Sequence, residues 1–228
     1  EFIQKEPGSK KWFRKLVSAD EFLNGKSRYC LWLTTISERE LEDLPLVKKQ
    51  VDDLRKVRLS SSRPQLANTP HLFAQITQNE GLSHIVIPGV SSENRKYIPI
   101  GIIGKDEITT NSCFIVPAEQ PYIFAVLTSY MHMAWMKSVG GKLETRYRYS
   151  KDLVYNTFPF PNITEKQKES LTTHVYNILE EREKHPDKTM ADLYDPEKMP
   201  EGLREAHKYL DLAVDQIYRS KPFESDEE

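Results

Sequence analysis

The sequence predicts an α+β fold: a mixed or antiparallel sheet with packed helices, followed by a small α-helical hairpin. Short apolar runs between polar turns, such as His84–Pro88 and Cys113–Pro117, are typical of strands. Other stretches open on capping boxes and carry apolar residues at helical spacing. After Thr164 the strand pattern ends and two amphipathic helical stretches follow. We therefore expect two domains, residues 1–162 and 163–228.

Capping residues and prolines place the predicted helices. Capping-box spacing occurs at Ser18 with Glu21, Ser37 with Glu40, and Thr164 with Gln167. The helix after Ser18 is predicted to end at Asn24-Gly25, the one after Ser37 at about Leu59 with an interruption near Pro45, and the one after Thr164 at about Lys184. Two further helices are predicted from Pro121 to about Lys137 and over Glu201–Tyr218. Further strands are predicted at Arg28–Thr34, Tyr97–Ile103 and Lys142–Ser150, and Tyr155–Pro161 is predicted to be an extended link.

Composition is that of a soluble globular chain, with 38% hydrophobic and 29% charged residues, enough apolar material for a core. No apolar run approaches membrane-spanning length, and Cys30 and Cys113 lack the spacing of a metal or redox motif. We expect a cytoplasmic protein with reduced thiols and no membrane contact. The start, Glu1-Phe2-Ile3, has neither an initiator Met nor a signal-peptide pattern, so we interpret the chain as a fragment of a longer protein.

The net charge of −2 conceals an asymmetry. Residues 163–228 hold 10 Lys and Arg against 17 Asp and Glu, a net of −7, whereas residues 1–162 carry a net of +5. A basic first part and an acidic tail suggest that only the first part meets a polyanion, although a net charge of +5 usually reflects only a solvated surface.

Motifs for chemistry are absent from the sequence. It contains no Gly-rich phosphate loop, no GxSxG elbow, no HExxH and no Asn-Pro-Pro-Tyr sequence of adenine methyltransferases. The histidines lack zinc spacing, and His132 lies in an apolar helix where a core role is expected. We therefore expect no catalytic residue, metal site or cofactor in this chain. A small stand-alone nuclease or hydrolase remains an alternative, as does a protein-interaction or assembly domain.

The stretch Gly141–Ser150 is the most informative. If it is one strand, Glu144, Arg146 and Arg148 share a face opposite the apolar and aromatic side chains. Arginine donates two hydrogen bonds to guanine O6 and N7, and a carboxylate accepts one from cytosine N4, so this face could read C·G pairs in a major groove. An exposed Glu–Arg ion pair is the alternative interpretation.

Further DNA contacts are predicted from polar and basic residues near these strands. Hydroxyls and cations before a strand could hold phosphates, and the long helix ends on a basic face. These candidates are Ser91, Ser92, Arg95, Lys96, Lys142 and Arg63. A polar turn explains the residues before the strand equally well, and a solvated face is the better account of the basic helix end.

The chain resembles the C-terminal region of the MmeI-like (type IIL/IIG) restriction–modification enzymes. The matching segments are Lys15–Gly25, Cys30–Leu33, Thr69–Phe73, Pro88–Glu93, Tyr97–Gly101, Met131–Trp135, Gly141–Leu143, Tyr147–Ser150, Tyr155–Pro159, Leu193–Pro196 and Met199-Pro200. The resemblance implies a DNA target recognition domain, residues 1–162, followed by a helical C-terminal domain, residues 163–228.

What the resemblance implies about function is specific. Base-specifying positions of the family map onto Glu144 and Arg146, with Arg148 beside them, and Asn111 and Ser112 would lie in a loop near Arg148. The implied partners are double-stranded DNA and the methyltransferase domain of the same chain. An adenine-N6 methyltransferase, with an endonuclease, would precede residue 1, so S-adenosylmethionine and Mg²⁺ would belong to the parent protein.

Overall fold

The computed structural model describes residues 1–78 and 81–228. Its helices are α1 (Phe2–Lys5), α2 (Ala19–Asn24), α3 (Glu38–Glu42), α4 (Pro45–Leu59), α5 (Pro121–Thr128), α6 (Tyr130–Val139), α7 (Glu165–Glu183), α8 (Met190–Leu193) and α9 (Glu201–Tyr218). Its strands are β1 (Phe13–Val17), β2 (Tyr29–Leu31), β3 (His84–Pro88), β4 (Val90–Ser91), β5 (Gly101–Ile103), β6 (Glu107–Thr109), β7 (Cys113–Pro117), β8 (Gly141–Leu143) and β9 (Arg146–Arg148). With 46% helix and 14% strand, the predicted α+β class is confirmed.

Contacts divide the chain into two compact units: Glu1–Leu16 with Arg28–Asn79, and Val17–Ser27 with Glu80–Glu228. The first unit pairs β1 with β2 and packs Trp12 and Leu33 against α4. The carboxylate of the buried Glu6 accepts hydrogen bonds from the backbone N–H groups of Leu46 (2.7 Å) and Val47 (3.2 Å). Glu6 thus supplies from a distant segment the cap that Leu44, at the N-cap of α4, lacks.

The basic end of α4 has a structural use in this unit. The guanidinium of Arg58 donates hydrogen bonds to the carbonyl oxygens of Leu66 (3.1 Å), Thr69 (2.9 Å) and Leu72 (2.7 Å). Arg63 is exposed and precedes the 3₁₀ turn Pro64–Asn68. Part of the basic face predicted from the sequence therefore fastens a loop.

The second unit is built on the antiparallel sheet β5-β3-β7, with β3 in the centre. The central strand is buried along its length, and Ile85 and Ile87 share one core with helices α5, α6, α7 and α9. Residues of the predicted helical hairpin, among them Leu171 and Leu210, belong to that core. The division into contact units falls at other positions in the chain and does not test a boundary between residues 162 and 163. That domain boundary stays a prediction.

Some predicted boundaries differ from the structure for local reasons. The single helix expected over 121–137 breaks at Ser129, which ends α5 and whose Oγ caps α6 by accepting a hydrogen bond from the backbone N–H of His132. The strand expected from Tyr97 begins only at Gly101. Pro99 has no N–H to donate to a strand ladder, so this segment is buried without regular pairing.

One half-buried carboxylate anchors the last helix to the rest of the second unit. Asp211 of α9 accepts hydrogen bonds from the Tyr97 hydroxyl (2.7 Å) and the Tyr130 backbone N–H (2.8 Å). The ring of Tyr97 also stacks on His207, with centroids 4.2 Å apart. Burial raises the pKa of Asp211 to about 6, although both hydrogen bonds oppose the shift.

No helix within residues 1–78 and 81–228 combines the length and apolarity that crossing a bilayer requires.

Replacing Asp211 with Asn is expected to flatten the pH dependence of stability. Because the folded-state pKa lies above the unfolded value near 3.9, the folded state binds more protons between about pH 4 and 6. The contribution of this group to the free energy of unfolding therefore falls as pH rises through that window, by up to roughly 3 kcal/mol. Urea unfolding at several pH values measures it. The control variant Asp187→Asn, at an exposed position, should keep the original slope of unfolding free energy against pH. An Asp211→Asn variant with that same slope would contradict this expectation.

Candidate nucleic-acid interface

The segment predicted as one strand, Lys142–Ser150, is a hairpin. Strands β8 and β9 pair antiparallel with Leu143 opposite Arg146, so that only Glu144 and Thr145 form the turn. Glu144 has φ of 58°, the positive value that the first turn residue of a tight hairpin takes. The prediction of a continuous strand, and with it the face-sharing argument for Glu144, is therefore wrong.

The turn nevertheless brings together the first two predicted base-reading residues. Nη2 of Arg146 lies 2.7 Å from Oε2 of Glu144, and the two side chains are 46% and 75% exposed. An ion pair this exposed contributes little to folding stability. Each of the two side chains can therefore leave the ion pair and bind a ligand at a small cost in free energy.

The hairpin is the outer part of a second sheet, ordered β4-β9-β8. Strand β9 places Arg148 opposite Val90 and Tyr147 opposite Ser91. Arg148 is exposed, whereas Ser91 is buried and its Oγ has no hydrogen-bond partner among the described residues. The structure therefore presents Arg148 to a ligand but encloses Ser91 within the sheet.

A cleft of about 890 Å³ lies beside this sheet. Its lining includes predicted contact residues from separate elements: Asn111, Ser112, Lys142 and Arg148. The loop position that the resemblance implied for Asn111 and Ser112, near Arg148, agrees with this lining. Lys142 also lies 5.7 Å from the ring centroid of Tyr147.

Gly89 fixes one wall of the cleft. Its N–H donates to the carbonyl of Ser112 (2.8 Å), and its own carbonyl accepts from the N–H of Tyr149 (2.9 Å). A Cβ at this position would lie 2.9 Å from the carbonyl oxygen of Ser112, too close for any other residue without a shift. Glycine at this position therefore permits both the loop and the hairpin sheet to approach the core strand.

Other sequence-predicted residues are not among those that line the cleft. Arg95 is half-buried, and desolvation lowers its pKa while Asp195 opposes that shift. The ammonium of Lys96 lies over the rings of Tyr97 (5.2 Å) and Tyr130 (5.3 Å). Ser92 Oγ accepts a hydrogen bond from the N–H of Asn94 (3.3 Å). These contacts favour the alternative of a polar turn for this segment, and the residues stay candidates only.

Sequence reasoning missed two parts of the site. Lys151, Asp152 and Leu153 line the cleft from a single π-helical turn that Ser150 caps. The Thr145 hydroxyl lowers the pKa of the Glu93 carboxyl below its usual range. The hydroxyl-containing cap at Ser150 was a usable signal, whereas nothing in the local sequence relates Glu93 to Thr145.

His132 has the core role that the sequence predicted. It is fully buried, its Nε2 lies 2.9 Å from the Tyr149 hydroxyl, and desolvation lowers its pKa to about 3. A neutral imidazole thus supports Tyr149, which lines the cleft. Within the described ranges, no group of three or more His, Cys, Asp or Glu side chains is arranged to hold a metal ion.

The chain with this hairpin and cleft matches two sequence profiles over its whole length. The profile of the MmeI target recognition domain matches residues 1–162, and that of the MmeI C-terminal domain matches residues 163–228. The chain therefore belongs to the MmeI family of restriction–modification proteins, and the resemblance drawn from its sequence is confirmed.

Two relatives illustrate the similarity. DNA methyltransferase A of Bacillus subtilis (strain 168) is 40% identical over 229 residues, which cover 99% of this chain and 26% of the relative. A solved structure of the type IIL restriction-modification enzyme MmeI in complex with DNA aligns with a TM-score of 0.93 at 43% identity, over 99% of this chain and 30% of the other. The chain thus spans less than a third of the length of either protein.

Glycine at position 144 is expected to stabilise the hairpin relative to alanine. A left-handed backbone costs a residue with a Cβ about 1 kcal/mol, and glycine avoids this cost. We expect Glu144→Gly to exceed Glu144→Ala by about that amount in the free energy of unfolding.

Arg146 provides the matched control, because it lies in a strand without a positive φ. There, Arg146→Gly should be less stable than Arg146→Ala by roughly 0.5–1 kcal/mol. Denaturant unfolding of the four variants measures both differences. The same order at the two positions would show that residue 144 does not adopt this turn conformation.

Proposed function

We propose that this chain reads DNA sequence in the major groove, as the recognition region of a longer adenine-N6 DNA methyltransferase of the restriction–modification type. The observation that carries the proposal is the exposed Glu144–Arg146 pair at the turn of the β8–β9 hairpin. Beside it, Arg148 and Lys142 line a cleft with Asn111 and Ser112.

A two-stranded ribbon has dimensions that a major groove admits. Glu144 and Arg146 satisfy each other in the free chain. On DNA, the carboxylate would accept a hydrogen bond from cytosine N4, and the guanidinium would donate to guanine O6 and N7. On binding, the ion pair between Glu144 and Arg146 would thus be replaced by hydrogen bonds to the cytosine and the guanine of one C·G pair. Arg148 is the candidate for a neighbouring base.

The printed descriptions of the relatives support this proposal. One is a DNA methyltransferase, and the other is a restriction–modification enzyme solved with DNA. The sequence offers S-adenosylmethionine no nucleotide-binding loop, and the described residues hold no cluster for Mg²⁺. We therefore assign both groups, together with methyl transfer and any nuclease activity, to the remainder of a longer polypeptide in the cytoplasm of a bacterial cell.

The acidic residues 163–228 favour a different partner. Their net charge of −7 opposes approach to DNA. We propose that this region contacts protein, specifically the methyltransferase domain of the same polypeptide.

DNA binding by this chain is expected to weaken as salt rises. Lys142 and Lys151 line the cleft, and neutralising one or two phosphates gives a slope of log Kobs against log salt of about −1 to −2. Lys142→Ala should make the slope shallower by roughly one. Fluorescence anisotropy with a short duplex at several salt concentrations measures both values.

Two lysines serve as comparisons in that titration. Lys168→Ala, in α7, is the control and should leave the slope unchanged. Lys96→Ala tests the phosphate role predicted from the sequence, and a slope made shallower by one would support that role. DNA binding that does not change with salt, or a salt slope that responds to Lys168→Ala as much as to Lys142→Ala, would contradict the proposal.

Reversing the charges at the turn is expected to change the preferred base pair. In the double variant Glu144→Lys with Arg146→Asp, donor and acceptor exchange places, which suits the inverted pair. In each single variant, one side chain faces a base group of its own kind, donor against donor or acceptor against acceptor. Each single variant should therefore lose roughly 1–3 kcal/mol of discrimination at that base pair.

Mapping of methylated sites, with the longer enzyme carrying each variant, is the measurement. If the double variant modifies the original sites, Glu144 and Arg146 form only a surface ion pair, and base reading by the turn is refuted.

A further inference from the structure

Leu143 lies on the same face of the β8–β9 hairpin as two arginines. The strand register places Leu143 directly opposite Arg146, and residues directly opposite each other in an antiparallel pair project from the same face. Arg148 follows Arg146 by two residues and shares that face. Tyr147, between them, projects to the other side and packs against the core. The face that carries Leu143 and both arginines therefore points away from the core.

Leu143 is an apolar side chain in charged surroundings. It is 45% exposed, and it lines the cleft together with Lys142, Arg148 and Lys151. The positive charge of these three side chains attracts a polyanion such as a DNA duplex rather than an apolar ligand. A duplex bound at this face covers Leu143, so the leucine comes to face a group of the DNA.

The major groove of DNA presents one apolar group, the C5-methyl of thymine. The other base edges in that groove present hydrogen-bond donors and acceptors. A leucine placed against a donor or an acceptor excludes water without replacing its hydrogen bond, which weakens binding. Placed against the methyl group, the same leucine buries apolar surface, which strengthens binding. Both effects make Leu143 favour thymine over the other bases.

The pairing of Leu143 with Arg146 also indicates which base pair the leucine reaches. Cβ atoms of directly opposite residues lie about 5 Å apart, and successive base pairs are stacked about 3.4 Å apart. We propose that Leu143 is a specificity-determining residue, which contacts the C5-methyl of a thymine in the base pair next to the one that Glu144 and Arg146 read. The inference rests on the function proposed above.

Stabilisation of the hairpin is the competing explanation for Leu143. A leucine opposite an arginine can cover the aliphatic part of that side chain, and such cross-strand pairs stabilise a sheet. The two explanations differ in their dependence on the DNA. A leucine that only stabilises the hairpin raises the affinity for every duplex alike, whereas a methyl contact depends on one carbon atom of one thymine.

The test begins with selection from a randomised duplex pool at low salt, by the unmodified chain and by Arg146→Ala. Comparison of the two selections locates the base pair that Arg146 reads. Deoxyuridine then replaces the thymine selected at the neighbouring position, which removes the C5-methyl and keeps the base pairing. Fluorescence anisotropy measures the Kd for the thymine duplex and for the uracil duplex.

Three variants of the chain are compared on these two duplexes. Leu143→Ala removes the proposed contact, and Leu143→Met keeps an apolar side chain of similar size. Leu212→Ala is the matched control, because Leu212 is a leucine of α9 with a similar exposure of 54%.

We expect the unmodified chain to bind the uracil duplex about fourfold more weakly than the thymine duplex, which corresponds to about 0.8 kcal/mol for one buried methyl group. Leu143→Ala should bind the two duplexes equally, because the partner of the methyl group is gone. Leu143→Met should retain most of the fourfold ratio, and Leu212→Ala should retain all of it.

Each failure has a distinct meaning. If the unmodified chain selects no bases, or selects the same bases as Arg146→Ala, the proposed function itself fails. If Arg146→Ala loses one position but no thymine is selected beside that position, the role of Leu143 alone is overturned. Equal binding of both duplexes by the unmodified chain also overturns it. A fourfold ratio that persists in Leu143→Ala does so too, even where this variant binds both duplexes more weakly.

Discussion

The backbone of Gly89 joins the sheet that builds the core to the sheet that carries the hairpin. Its N–H and carbonyl bond to Ser112 and Tyr149, on the two sides of the cleft. A Cβ at this position would lie 2.9 Å from the carbonyl oxygen of Ser112, so another residue would need a shift of the backbone. This junction helps to hold the two sides of the cleft in position, and Tyr149 connects it to the buried His132.

The helical hairpin contributes to the same support. Helices α7 and α9 share a core with β3, α5 and α6, and Asp211 ties α9 to both the Tyr97 segment and the start of α6. A half-buried carboxylate that accepts two hydrogen bonds favours one docking geometry. The acidic helices are therefore part of the structure that holds the hairpin sheet in position.

Much of the fold could be predicted, because its signals are local. The strands β3 and β7 have the predicted bounds, and Ser18, Ser37 and Thr164 cap helices through the predicted boxes. The hairpin could not be predicted, because Glu144-Thr145 carries none of the Gly or Asn signals that mark a two-residue turn. The sequence placed Glu144 and Arg146 together by an incorrect strand argument, and the turn brings them together in fact. A long-range contact explains another miss: the ammonium of Lys96 lies over the ring of Tyr130.

The left-handed backbone at Glu144 restricts how recognition in this family can diverge. Glu144 and Thr145 of the hairpin turn are exposed, so their side chains can vary with little effect on the core. Position 144 is an exception, since a backbone with φ of 58° excludes β-branched residues and favours Gly, Asn and Asp. The side chains that fit position 144 at little cost are therefore few, and they are rich in hydrogen-bond acceptors and poor in branched apolar groups. Such side chains can contact only some of the base edges in a groove.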